Sequence, residues 1–149
     1  MNKEFVTCEI AIALKELGFN EPCFTTYDHE GRLRNPFDYA KSEYDGDALY
    51  IEDTKEWIYN SGLTIKNFNA PTHLFTQFIA APLYQQAFRW FREKYGIVGI
   101  VKFGTQEFTY NIYNNDAIGL LTKDSLDFNA TYEEAEIACL KKLIEIVKS

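Results

Sequence analysis

An α+β fold is what this sequence predicts, on three observations. From Pro82 to Val147 a helical pattern is followed by three strand-like runs and a second helical pattern. A short helical pattern and an extended segment open the chain, and 46% of the 149 residues are hydrophobic, enough for a core that needs neither metal nor disulfide. The expected architecture is one domain over 1–149, with a small antiparallel sheet of three to five strands packed by about three helices. Within it, 1–27 form a helix plus a strand, 28–69 an acidic loop-rich insert, and 70–149 a helix-β-β-β-helix unit.

Thr7 is placed to cap a first helix that carries Ile10, Ala11, Leu14 and Leu17 on one face, and Gly18 is a natural stop. Glu21 to Tyr27 reads as extended, because Pro22 is excluded from a helix interior and β-branched and aromatic residues follow it. Asp28-His29-Glu30-Gly31 turns the chain. Residues 32–69 show weak periodicity, with short extended pieces at Leu49-Tyr50-Ile51, Trp57-Ile58-Tyr59 and Leu63-Thr64-Ile65. Ala70-Pro71 and Ala81-Pro82 each set a proline where a helix can begin.

The helix expected from Pro82 to Tyr95 puts Leu83, Tyr84, Ala87, Phe88, Phe91 and Tyr95 on one face, with Gln85, Arg89 and Arg92 opposite and Gly96 at its end. The runs Ile97-Phe103, Glu107-Tyr113 and Ala117-Thr122, separated by turn-forming residues, predict an antiparallel meander. Thr131 and Glu134 have the spacing of a capping box. The helix behind them carries Ala135, Ala138, Leu140, Ile144 and Val147 toward a core, with Lys141, Lys142 and Lys148 near its end.

The formal charge of −7 lies wholly in residues 1–60, which hold 6 basic and 13 acidic side chains; the rest holds 9 of each. That balance argues against phosphate-driven binding of nucleic acid, so nucleic acid is not an expected partner. Cys8, Cys23 and Cys139 are odd in number and lack C-x-x-C spacing, as suits a reducing compartment. Met1-Asn2-Lys3-Glu4 does not begin a signal peptide and no apolar run approaches the ~18 residues of a membrane span, so a cytoplasmic location and no membrane partner are expected. Asn129-Ala130-Thr131 fits the glycosylation triplet but carries little weight in such a location.

Three segments carry a resemblance. The stretch from Ala81-Pro82-Leu83-Tyr84 through Arg89-Trp90-Phe91-Arg92 to Tyr95-Gly96 resembles a motif in a large group of small proteins from gut anaerobes, their prophages and phages. Glu9 to Cys23 and Thr131 to Val147 look like the two ends of the same group, in the same order, so about half the chain is covered. The resemblance implies an accessory gene of a mobile element and brings no activity or catalytic residue with it. Residues 28–69 depart from its shorter pattern.

Several constellations bear on function. The helix–three-strand–helix order is shared with double-stranded-RNA-binding domains, but basic residues belong at the start of their final helix, and here that place reads Tyr132-Glu133-Glu134. Asp45 or Asp47 with Asp53-Thr54-Lys55 loosely matches the carboxylates and lysine of metal-dependent nucleases; the plainer reading is a solvated acidic loop. Cys23 with His29 or His73 is the least a thiol nucleophile would need, yet small buried cysteines are commoner. Zinc spacing, a Walker loop, G-x-G-x-x-G and G-x-S-x-G are all missing from the sequence.

The stripe Gln85, Arg89, Arg92 is the most suggestive polar feature, since two guanidinium groups a turn apart can fork onto phosphate or carboxylate, with Trp90 or Tyr84 available to stack on a base. Its plainer reading is a salt-bridged helix face. The expected function is binding without catalysis and without a cofactor: a phage-type accessory protein that engages a host protein or sequesters an anionic nucleotide-like small molecule, with counter-defence as one role. A homodimer would bury part of the aromatic surplus, which is 16% of the residues. The alternatives are a metal-dependent nuclease or phosphodiesterase on Asp45, Asp47, Asp53 and Lys55, and an acidic nucleic-acid mimic.

Overall fold

The computed structural model describes residues 2–34, 48–51, 56–59, 69, 79–114, 119–122 and 129–149. Among the described residues it is α+β, with three α-helices and antiparallel pairing of every strand. The chain packs as two compact units, Thr7–Pro82 in one and Leu83–Ser149 with Lys3–Val6 in the other. The expected sheet of three to five strands is present at its smallest size, as β5-β6-β7, and the remaining described strands pair separately. Among the described residues the strands thus form two sheets of two strands each and one of three, and no closed barrel. The reason for this lower count is pairing: two three-residue strands satisfy each other, and a hairpin closes on itself.

In the first unit, α1 (Cys8–Glu16) starts where expected, with Thr7 Oγ1 accepting from the Ile10 N–H at 3.4 Å. Ile10, Ala11 and Leu14 are buried. Gly18, at φ 87°, supplies the left-handed turn that lets the Phe19 N–H reach back to the Leu14 carbonyl at 2.9 Å. β1 (Thr25–Tyr27) is buried at all three residues and pairs with β4 (Ile79–Ala81), Thr26 opposite Ala80. The Asp28–Gly31 turn is held by Asp28 Oδ1, which accepts from the Glu30 and Arg32 N–H groups at 2.9 and 3.0 Å. The chain then returns along β1, where Arg34 N–H donates to the Thr26 carbonyl and Thr25 Oγ1 to the Arg34 carbonyl.

Asn69 clasps this unit. Its Nδ2 donates to the Phe19 carbonyl at 2.8 Å while its Oδ1 accepts from the Ala80 N–H at 3.0 Å, so one amide joins the end of α1 to β4. In the stretch expected to be loop-rich, β2 (Ala48–Ile51) and β3 (Glu56–Tyr59) form an antiparallel hairpin that contains two of the three extended pieces. Leu63-Thr64-Ile65 and the helix start at Ala70-Pro71 lie outside the described residues.

In the second unit, α2 (Tyr84–Tyr95) starts two residues later than the proline suggests. Leu83 is extended (φ −65°, ψ 152°) and bridges antiparallel to Phe5, which holds the backbone out of the helix until Tyr84; Pro82 thus precedes the helix cap. Gly96 ends it at φ 66°, its N–H donating to the Arg92 carbonyl. β5 (Ile97–Phe103), β6 (Phe108–Asn114) and β7 (Gly119–Thr122) form the meander in the order β5-β6-β7, with a bulge between Ile112 and Tyr113. α3 (Tyr132–Lys148) opens with the full capping box: Thr131 Oγ1 accepts from the Glu134 N–H, and the Glu134 carboxylate accepts from the Thr131 N–H.

α2 and α3 pack on this sheet. Gly99 makes the close approach possible, since a Cβ there would stand 2.6 Å from Cys139 Sγ, 3.0 Å from Phe88 and 3.2 Å from Leu143. The buried face of α3 is accordingly Ala135, Cys139, Leu140, Leu143 and Ile144, while Ala138 and Val147, expected toward the core, sit half-buried at its margins. Among the described residues no helix is long and apolar enough to cross a membrane.

Candidate functional site

α2 separates the two sets of residues singled out on it. Gln85, Arg89 and Arg92 are exposed, at helical spacing i, i+4, i+7 along one face. Tyr84 and Trp90 are buried on the other side with Ala87 and Phe91. Trp90 meets Phe91 and Tyr95 edge to face at 5.2 and 5.4 Å, and Lys94 Nζ lies 4.7 Å from its ring centroid. The three polar side chains therefore share one exposed face of α2, and the two aromatic rings belong to the core of the unit and not to that face. Their sequence position already hinted at this, since Tyr84, Ala87 and Phe91 share a helical face.

The cysteines do not assemble a nucleophilic site among the described residues. Cys23 is buried, its Sγ reaching the Glu21 carbonyl at 3.5 Å, while His29 is exposed beside Glu30. His73 lies outside the described residues, as do Asp45, Asp47, Asp53 and Lys55. Burial, helped by the Asp28 carboxylate, pushes the Cys8 thiol up; burial, helped by Glu136, lifts Cys139 to about 12. Both thiols are thus less reactive than a free cysteine. No group of three or more His, Cys, Asp or Glu side chains among the described residues is arranged to hold a metal ion.

Two features escaped the sequence reading. Burial raises Glu136 to about 7, with the neighbouring carboxylates of Glu133 and Glu4 adding to the shift. Glu133 is visible at i−3, but Glu4 arrives from the other end of the chain and leaves no local signal. The second is an aromatic cluster in which Phe108 lies 5.0 Å from Phe103 and 5.9 Å from Tyr132 between ring centroids, with Phe103 and Tyr132 exposed. The hairpin register pairs Phe103 with Phe108, so that half was within reach of the sequence. At the start of α3 the Glu134 carboxylate is already engaged by backbone N–H groups of Ala130 and Thr131.

No protein-family model, curated protein or solved structure matches the chain.

Proposed function

We propose that this chain is a non-catalytic binding protein that takes an anionic group, phosphate or carboxylate, on the exposed Gln85–Arg89–Arg92 face of α2. The observation that supports the reading is that Arg89 and Arg92 are both exposed residues one turn apart on a helix whose opposite face is anchored by Tyr84, Ala87, Trp90 and Phe91. A rigid helix holds two forked donors at a fixed separation, which suits bidentate recognition. The resemblance to proteins of phages and prophages makes an accessory role in a bacterial cytoplasm the natural setting. The ligand is then a nucleotide-like small molecule or an acidic surface of a host protein.

The test is thermal unfolding of the purified protein with nucleotides, cyclic nucleotides and ADP-ribose-type compounds. A ligand that binds only the folded state raises the melting temperature by mass action. The expected result is a shift that Arg89→Ala and Arg92→Ala each reduce and the double variant abolishes, with the unliganded melting temperature unchanged. A shift that survives the double variant overturns the assignment of the site.

A further inference from the structure

β5 is an edge strand, and its backbone shows which of its groups look outward. The N–H and C=O of Phe108 are exchanged with Asn129, at 2.9 and 3.0 Å, and so point away from Phe103, the residue opposite it on β5. Phe103 and Phe108 are therefore a non-hydrogen-bonded pair of the β5–β6 ladder. By alternation so are Val101–Tyr110, Gly99–Ile112 and Ile97–Asn114. The N–H and C=O groups of Ile97, Gly99, Val101 and Phe103 consequently face the free side of β5, where no strand pairs with it among the described residues.

Such an edge is normally blunted by proline, inward charge or lysine. The run Ile97-Val98-Gly99-Ile100-Val101-Lys102-Phe103 has no proline and one charge. That charge is drawn inward over the sheet: with the Asn111 amide oxygen turned toward it, Lys102 Nζ lies 3.2 Å away, on the side of β6. Ile100 is 48% exposed and Phe103 69% exposed on an otherwise apolar strand. Among the described residues this edge is thus unpaired and, apart from Lys102, free of charge, with its exposed side chains at Ile100, Lys102 and Phe103.

We propose that β5 pairs antiparallel with β5 of a second copy of this chain about a two-fold axis at Ile100, joining two three-stranded sheets into one of six strands. A two-fold axis at Ile100 is the register that engages the outward groups of all four residues, Ile97, Gly99, Val101 and Phe103. Residues whose numbers add to 200 face one another, so Gly99 exchanges two hydrogen bonds with the second copy's Val101, and Ile97 does so with Phe103. The same chain supplies both halves of a self-complementary edge, as a two-fold interface requires. Ile100 then meets its own copy in a non-hydrogen-bonded pair, where side chains approach closest, and its exposed surface is covered. An edge contact of this length is small, which places the association at roughly micromolar strength or weaker. None of the residues in this pairing lies on the arginine face of α2.

Sedimentation velocity from about 5 to about 500 μM spans that range and is expected to show a monomer–dimer equilibrium. Ile100→Lys sets two ammonium groups face to face on the axis and should weaken the dimer by about tenfold or more. Val101→Pro removes an outward N–H while sparing the β5–β6 ladder, and should do the same. Because either variant could disturb folding, a third measurement reads the register directly. In a Cys8→Ser background, Ile100→Cys should form an intermolecular disulfide under oxidised glutathione, since Cα atoms in such a pair lie about 4.5 Å apart, and Lys102→Cys should not. A monomer throughout the range, a dimer indifferent to Ile100→Lys in a protein that melts normally, or crosslinking through Lys102→Cys in place of Ile100→Cys would each overturn the proposal. So would a monomer that instead adds an extended peptide to this edge.

Discussion

Gly99 and Cys139 meet with no room for another carbon: a Cβ on Gly99 would stand 2.6 Å from Cys139 Sγ. The contact sets how close α3 lies to β5, and it makes the strand glycine a packing requirement, since no positive φ is involved. Gly99→Ala is therefore expected to destabilise the fold by about 1–3 kcal/mol through overpacking. Cys139→Ala should recover part of that loss in the double variant, because the smaller side chain vacates the clashing volume. Denaturant melts of the four proteins give the coupling, and strict additivity would contradict the contact.

Asn69 is expected to be the most sensitive polar residue of its unit. Asn69→Ala leaves both the Phe19 carbonyl and the Ala80 N–H without their partner, at a cost of about 1–3 kcal/mol. Asn69→Asp keeps the acceptor for Ala80 but sets a carboxylate against the Phe19 carbonyl, so it should be no better than alanine at neutral pH and should improve on acidification. Chemical denaturation at pH 4 and pH 7 separates the two variants.

The raised Glu136 makes stability fall as pH rises. Its folded-state value of about 7 lies above the ordinary 4.5, so between those values the folded chain holds the proton that the unfolded chain gives up. Its neutral form stabilises the fold fully below about pH 4.5, and that contribution is lost as pH rises through about 7. The side chain is half-exposed, and solvent screening reduces the effect to about 1 kcal/mol. Glu136→Gln should flatten the wild-type decline between pH 5 and pH 8; an unchanged slope would refute this role for Glu136.

Thiol labelling should distinguish the three cysteines. Cys23 and Cys139 are buried and Cys8 half-buried with its thiol raised, so the native protein should react slowly, and at Cys8 first. Full reactivity is expected only on unfolding. Rapid native labelling of Cys23 would contradict its burial.

Where a signal was local, the sequence carried it. Thr7, Gly18, Gly96, and Thr131 with Glu134 mark helix ends by groups that bond within four residues, and the β5–β6 turn is set by the residues that form it. What the sequence did not carry depended on distant partners. β4 is a strand because Thr26 pairs with Ala80, and α2 begins at Tyr84 because Phe5 holds Leu83 extended. The face of α3 turns on a glycine more than thirty positions away, and the charge state of Glu136 involves Glu4. At the candidate site the division is the same: the arginine spacing could be read along one helix, whereas the depth of Trp90 reflects how a whole layer packs.

The bridge between Phe5 and Leu83 has a topological consequence. Both residues belong to one unit, and the whole of Thr7–Pro82 leaves and returns between them. An antiparallel bridge at the neck of so long an excursion fixes its ends side by side, and the entropy of closing a loop grows only slowly with its length. Seen from the meander and its two helices, the intervening chain is a guest entering and leaving by one door. A change in its length would then alter the cost of closure only slightly, while the bridge keeps its two ends together.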